Sequence, residues 1–395
     1  KSMSQKPYTK RNDFLSFHKP SIHKEEIDAV TSTLKSGWLS SGPKVKEFEQ
    51  SVSEYLNVPY CIALNSGTAA LHLALKAIGL KPNDEVIIPT NTFTATAEVI
   101  TYFGAKPVLV DCRKDTLNLD EKQLEAMITK KTKAIMPVHF GGYPCDMDVI
   151  QNICSNYKLN LIDDAAHAFG SKYNSNFIGN TADITCFSFY ATKNITTGEG
   201  GMAVTSNHEY AETIRKLSLH GISTDAWNRY SNAGSWFYEV TDAGYKYNMS
   251  DILASIGCVQ IKKAETFLDK RTEIAKIYTE ELKDLDAIFL PKSSPHIKHS
   301  WHLFVIMLNT NKLTINRNHF IEELKKLNIG SSVHFIPMHR HKYYQNTFNY
   351  KSVDFPNSEW VYQRTISLPI YPEMTKTDTY DVINAIKHIV SQYQK

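Results

Sequence analysis

From residue 61 to about residue 217 the chain repeats one pattern: a short apolar run, a turn, then a stretch with helical spacing. CIALNSGTAALHLALKAIGL (61–80) reads as strand, tight turn and helix. EVIIPTNTFTATAEVITYFGAKPVLVD (85–111) reads as strand, helix and strand. KAIMPVHFGGYPCDMDVI (133–150) runs from a buried strand through a glycine turn into a helix. This alternation predicts an α/β fold whose central sheet is mainly parallel and flanked by helices. Ligands of such sheets bind outside the carboxyl ends of the strands. Strand ends are therefore where chemistry is to be sought.

The flanking segments are read in the same way. A helix is expected within residues 14–36, with Ile27, Val30 and Leu34 at helical spacing, and a second follows the breaker GWLSSGP (37–43). From Asp251 the spacing predicts one long helix, and the boundary between two domains is set inside it, near residue 260. The division is then 1–13 flexible N-terminus, 14–260 large domain and 261–395 smaller α+β C-terminal domain. The last part is expected to hold strands at WHLFVIML (301–308) and GSSVHFI (330–336) and helices from Arg317 to Leu327 and near 377–392.

Composition excludes several classes. A 395-residue chain that is 42% hydrophobic can bury a large core, and a net charge of +3 without a basic run gives no footprint for nucleic acid or an anionic membrane. No stretch reaches the ~18–20 apolar residues of a membrane span. The polar start KSMSQKPYTKRND lacks the apolar region of a signal peptide. Six scattered cysteines with no CxxC pair read as free buried thiols in a reducing cytoplasm, without a disulfide framework or metal site.

Two strand ends carry the chemistry. NLIDD (160–164) ends in paired carboxylates, and ITCFSFY (184–190) is followed by Ala191-Thr192-Lys193-Asn194 and a glycine-rich turn. A lysine just past a buried strand is desolvated. Its pKa falls, which supplies the neutral amine that a Schiff base needs. Asp164 lies 29 residues before it. A lysine for an aldehyde and a carboxylate for a pyridine nitrogen point to pyridoxal 5'-phosphate (PLP). Ser188 and the strand-to-helix turn Asn65-Ser66-Gly67-Thr68 offer a hydroxyl and helix N-terminal N–H groups for its phosphate. Each feature alone is weak: most lysines are solvated, and a serine or threonine at a helix start is usually only a cap. The specificity lies in the combination.

DDAAHAFG (163–170) followed by FSFYATKNITTGEGG (187–201) resembles the hallmark of the DegT/DnrJ family of nucleotide-sugar aminotransferases, which have the aspartate-aminotransferase fold. The likeness runs from about Phe14 to the C-terminus. It implies Lys193, Asp164 and His167 as catalytic residues. It places Gly67 and Thr68 at the PLP phosphate, where the residues themselves also put Ser188. Phe93, read from the sequence alone as core packing, becomes the residue stacked on the ring. His167, otherwise a polar residue at a helix start, is set against the cofactor. GYKYNMSD (244–251) matches the family's dimer-crossing motif, which implies a homodimer with shared sites in which Asn248 reaches the partner's phosphate. His139 and Tyr143 line either the pocket or a structural turn. Trp38, Arg229, His334, His339 and Tyr344 are candidate substrate contacts. No metal is expected, because the histidines of 334–341 lack an organised ligand set.

The resemblance implies transamination, with glutamate as donor, of a nucleotide-linked sugar. The C-terminal half is similar to members acting on 4-keto sugars, and a UDP-linked one, such as the UDP-4-amino-4-deoxy-L-arabinose type, is put ahead of C3-specific or GDP- or dTDP-linked ones. The setting is surface polysaccharide or lipopolysaccharide biosynthesis. Relatives that dehydrate sugars carry histidine in place of Lys193. A nicotinamide-dependent oxidoreductase would need GxGxxG after its first strand, which NSGTAAL lacks. A non-catalytic PLP-binding regulator shares the motifs and differs only in turnover. A plain dimeric scaffold leaves the 163–201 constellation unexplained.

Overall fold

The computed structural model describes residues 8–223 and 236–395. Its largest sheet holds Tyr60–Leu64 (β1), Glu85–Pro89 (β2), Lys106–Val110 (β3), Thr132–Ile135 (β4), Asn160–Asp164 (β5), Ile184–Ser188 (β8) and Gly201–Thr205 (β9). Two short strands intervene, Lys172–Tyr173 (β6) and Asn176–Phe177 (β7). The large sheet runs in the order β1-β9-β8-β5-β4-β2-β3. From β8 to β3 every pairing is parallel, and β9 is antiparallel to both of its neighbours.

Helices cover both faces, which explains why the strands are apolar at nearly every position. Side chains alternate along β1: Cys61 and Ala63 join one core, Ile62 and Leu64 the other. The first core is closed by Pro43–Leu56 (α2) and Met147–Tyr157 (α6), the second by Gly67–Ala77 (α3), Thr94–Thr101 (α4) and His208–Ser218 (α7). All six cysteines are buried and unpaired, as expected.

Asp251–Leu282 (α8) is one continuous helix. Its buried residues as far as Phe267 belong to the first of these cores, and from Ile274 onward they belong to a third. That third core lies against an antiparallel sheet of Ile288–Phe289 (β10), Phe304–Leu308 (β12) and Thr365–Leu368 (β13), with Arg317–Lys326 (α9) and Lys376–Tyr393 (α12). Ile297–Lys298 (β11) instead pairs with β6. Strand β12 faces two ways: Phe304, Ile306 and Leu308 enter the third core, while Val305 and Met307, with Leu303 just before the strand, join Phe140 and Cys112 in a smaller cluster. Shorter helices are formed by Leu124–Met127 (α5), Lys342–Phe348 (α10) and Pro356–Tyr362 (α11).

Two expectations change. GSSVHFI is not a strand. A single bridge joins Ser332 to Ser367, after which His334 bonds the Ser367 hydroxyl and Phe335 packs against His167, so the chain leaves the sheet edge. The first helix, Lys24–Ser36 (α1), forms where expected but turns its apolar stripe outward, with Ile27 and Leu34 exposed. Its buried face carries Glu26, which accepts hydrogen bonds from Gln260 and Lys263 of α8 at 2.9 Å each.

Asp251 of GYKYNMSD ties two elements together. Its carboxylate accepts the N–H groups of Gly42 (2.8 Å), Lys44 (3.0 Å) and Val45 (3.0 Å), capping α2, whose own N-cap is a glycine. It also stands in the first turn of α8, so two helix N-termini meet one anion. Asp251→Ala leaves those donors without an acceptor and should lower unfolding free energy by about 3 kcal/mol. Chemical denaturation measures this, and a loss below about 0.5 kcal/mol would refute the capping role.

Candidate active site

Parallel strands carry their carboxyl ends to one edge, and here that edge gathers Asp164 at the end of β5 and Ser188 at the end of β8. β9 returns antiparallel, so its first residue, Gly201, sits opposite both Ser188 and Leu64. A Cβ on Gly201 would lie 2.2 Å from the Ser66 carbonyl oxygen, and one on Gly67 would lie 2.9 Å from the Ser188 Cβ. Both glycines are needed for this close approach. The result is a cradle in which the N-terminus of α3, with Gly67 and Thr68, faces Ser188. Ser66 caps that helix by accepting the Ala69 N–H at 3.0 Å.

The adjacent carboxylates of β5 point to opposite faces, as successive strand residues must. Asp163 meets the buried His139 (3.3 Å) and the Thr181 hydroxyl (3.1 Å). Asp164 accepts the Thr96 hydroxyl (2.8 Å) and the Ala166 N–H (3.2 Å). No ion-pair partner of Asp164 is found among the described residues. Burial pushes its pKa up, against those hydrogen bonds and the charge of Lys193. A buried carboxylate without a cation fits a protonated pyridine nitrogen.

Lys193 sits in a loop closed by a bridge between Tyr190 and Gly198, with Ile195 buried and the Thr196 hydroxyl donating to the Phe189 carbonyl (3.0 Å). Its ammonium has no hydrogen bond or ion pair among the described residues. Burial lowers its pKa to about 8, and Asp164 opposes the shift. Around it stand His18, His167, His302 and His334. Burial, reinforced by the lysine's own charge, keeps all four below the ordinary histidine value. The Gly141 N–H donates to His167 Nδ1 at 3.1 Å, which leaves the ring proton on Nε2.

The other sequence candidates fall in different places. Phe93 is 59% exposed at the N-cap of α4, so it is no core residue, and its ring lies 6.0 Å from that of Phe335. His334 is partly buried, with Nδ1 bonded to Ser367. His339 is fully buried, and both ring nitrogens are engaged, Nδ1 with Thr90 (2.7 Å) and Nε2 with Glu359 (2.6 Å). It has no position left for a substrate atom. Tyr344 is buried against Thr94, and the buried Tyr143 lies edge-on to His299. Arg229 lies outside the described residues. Trp38 and Asn248 line a cavity of 1160 Å³ with Arg215, Lys216 and His220, whose lining includes none of Lys193, Asp164 or Ser188. Asn248 bonds Ser41 (2.7 Å) and Lys246 (2.8 Å) there. The buried amine beside a buried carboxylate lies elsewhere, at Lys193 and Asp164.

Sequence reasoning missed His18, Asn194, His302 and Phe335. Asn194 adjoins the lysine motif and His302 lies in HSWHLF, so both were within reach. His18 carries no local signal: a bridge between Leu15 and Ile329 brings its segment in.

The description of the DegT/DnrJ/EryC1/StrS aminotransferase family matches residues 20–387. The chain belongs to this family. It is a PLP-dependent aminotransferase. The spore coat polysaccharide biosynthesis protein SpsC of Bacillus subtilis is 49% identical over 382 residues, which cover 96% of this chain and 98% of SpsC. Spr1654 of Streptococcus pneumoniae, a proposed sugar aminotransferase solved in PLP and pyridoxamine phosphate forms, superposes with a TM-score of 0.90 at 34% identity, covering 96% of this chain and 99% of that one. PseC of Helicobacter pylori, an aminotransferase in pseudoaminic acid biosynthesis, gives 0.90 at 29% identity, over 96% of this chain and 100% of that one. Among the described residues no helix is long and apolar enough to cross a membrane.

Because desolvation disfavours the ammonium form, Lys193 of cofactor-free protein should become reactive as pH rises through about 8. An unperturbed lysine does so near ~10.4. Competitive acetylation read by peptide mass spectrometry gives the midpoint, and a value of ~10 or above would rule out the desolvated amine.

Proposed function

We propose that this aminotransferase moves an amino group from glutamate to a nucleotide-linked keto sugar, most simply the 4-keto group of a UDP sugar, in surface polysaccharide assembly. The observation that carries the reading is the buried Lys193 beside the buried Asp164, neither of which has an ion-pair partner among the described residues. SpsC and PseC, named for polysaccharide and sugar-acid biosynthesis, support the sugar as acceptor.

Lys193 would hold the cofactor through Nζ, Asp164 through the ring nitrogen, and Gly67, Thr68 and Ser188 through the phosphate. When bound, PLP supplies an aldehyde that captures amines and a protonated ring that acts as an electron sink. Lys193, with its lowered pKa, would act through Nζ as the base that takes the proton from the α-carbon of the amino donor. Asp164 remains ionised once a cation is set against it, since an opposite charge offsets the cost of burial. His167 donates from Nε2–H and stays neutral beside Lys193. Phe93 presents an exposed ring face to a flat ligand.

Trp38 and Asn248 line a cavity whose lining includes none of Lys193, Asp164 or Ser188. This supports a homodimer in which each chain lends those residues to the other's site. Mixing Lys193→Ala with Asn248→Ala protein after subunit exchange should restore about a quarter of wild-type activity, from one intact site in half of the dimers. No recovery above the separate variants would exclude sharing.

The substrate test is spectroscopic. Glutamate should bleach the visible band of the loaded enzyme, and the true acceptor should restore it from a panel of 4-keto and 3-keto sugars linked to UDP, GDP or dTDP. A band unmoved by glutamate removes that donor. Restoration by simple 2-oxo acids alone removes the sugar.

A further inference from the structure

Arg271 is the largest fully buried side chain of the described protein, 1% exposed on α8. No carboxylate pairs with it among the described residues. Its Nη1 is directed instead to three backbone carbonyls, those of Trp301 (3.0 Å), His302 (3.4 Å) and Ile370 (2.9 Å). A cation buried without an anion is costly, and carbonyl dipoles are its only local compensation. Trp301 adopts φ +49, a left-handed conformation that non-glycine residues rarely keep unless their surroundings impose it.

With those carbonyls drawn toward Arg271, the same segment touches the active-site candidates on its other side. Ser300 donates from Oγ to the His167 carbonyl (2.8 Å) and accepts at its own carbonyl from Asn194 Nδ2 (2.7 Å), next to Lys193. The His302 ring packs on His167, with centroids 4.3 Å apart. Ser300 N–H and Leu303 N–H bond the Gly142 and Gly141 carbonyls (3.2 and 3.1 Å), and Gly141 holds His167 Nδ1. A Cβ on Gly142 would lie 2.1 Å from Ser300 Oγ, so the glycine makes room for this docking.

We propose that Arg271 is a positioning residue for the Lys193 centre, acting through the Ser300–His302 segment to hold His167 and Asn194. The inference rests on the reading of His167 as a cofactor-site residue. The test is the dissociation constant of PLP for cofactor-depleted Arg271→Lys, Ser300→Ala and His167→Gln, singly and paired, with thermal melting alongside. Arg271→Lys keeps the charge, but its shorter side chain stops short of the position from which Nη1 meets the three carbonyls, and it should weaken PLP binding about tenfold. Added to His167→Gln, it should cost less than it does alone, because the His167 ring is then gone and only Asn194 is left for the brace to hold. Unchanged affinity in Arg271→Lys, or a loss that adds fully to that of His167→Gln, overturns the proposal. Should Arg271→Lys fail to fold, Ser300→Ala decides by the same two criteria. If wild-type protein takes up no PLP with an adduct at Lys193, the proposed function falls. If it does and only the pairs behave additively, the brace alone falls.

Discussion

Both faces of the seven-stranded sheet are sealed by helices, and the rest of the site depends on this. A strand buried on both sides has no position for a solvated or reactive group except its ends. β5 and β8 run parallel and finish at one edge, so Asp164 and Ser188 emerge together. β9 comes back the other way and lays Gly201 against Ser66, where a side chain would collide. Apolar packing therefore builds a polar cradle at a defined place, with a helix N-terminus already aimed into it.

The same burial sets the electrostatics. Desolvation moves Asp164 up and Lys193 down, so each is pushed toward its uncharged form. His167 and His302 are pushed the same way, each lowered by burial and by the charge of Lys193. Several nearby polar atoms are buried without a partner, among them His302 Nδ1 and Asn194 Oδ1. Unpaired buried polar groups are rare in a well-packed fold, and a ligand is one of the things that completes them. Asp251, by contrast, serves three N–H groups.

The strand–helix alternation and the long α8 were legible because apolar spacing is a local property. The Lys193 and Asp164 constellation was legible because residue types of one chemistry fall at strand ends. Other features were not. GSSVHFI has strand composition, but Ser332 makes one bridge and His334 and Phe335 turn toward the site. α1 has an apolar stripe, but the Glu26 contacts with α8 decide which face is buried. His339 looked like a pocket residue because it lies in a His/Tyr-rich stretch, whereas Thr90 and Glu359, far away in sequence, close both of its nitrogens.

By itself the sequence determined the class of fold and which residue types stand at the strand ends, since these derive from periodicity and from the order of residues along the chain. Only the tertiary structure decided which of two adjacent aspartates faces Thr96, which tautomer His167 holds, and that Trp38 and Asn248 open on a separate cavity. It alone placed Arg271 under the Ser300–His302 segment. Those outcomes depend on contacts between residues tens to hundreds of positions apart, and no local pattern encodes the direction in which a side chain will point.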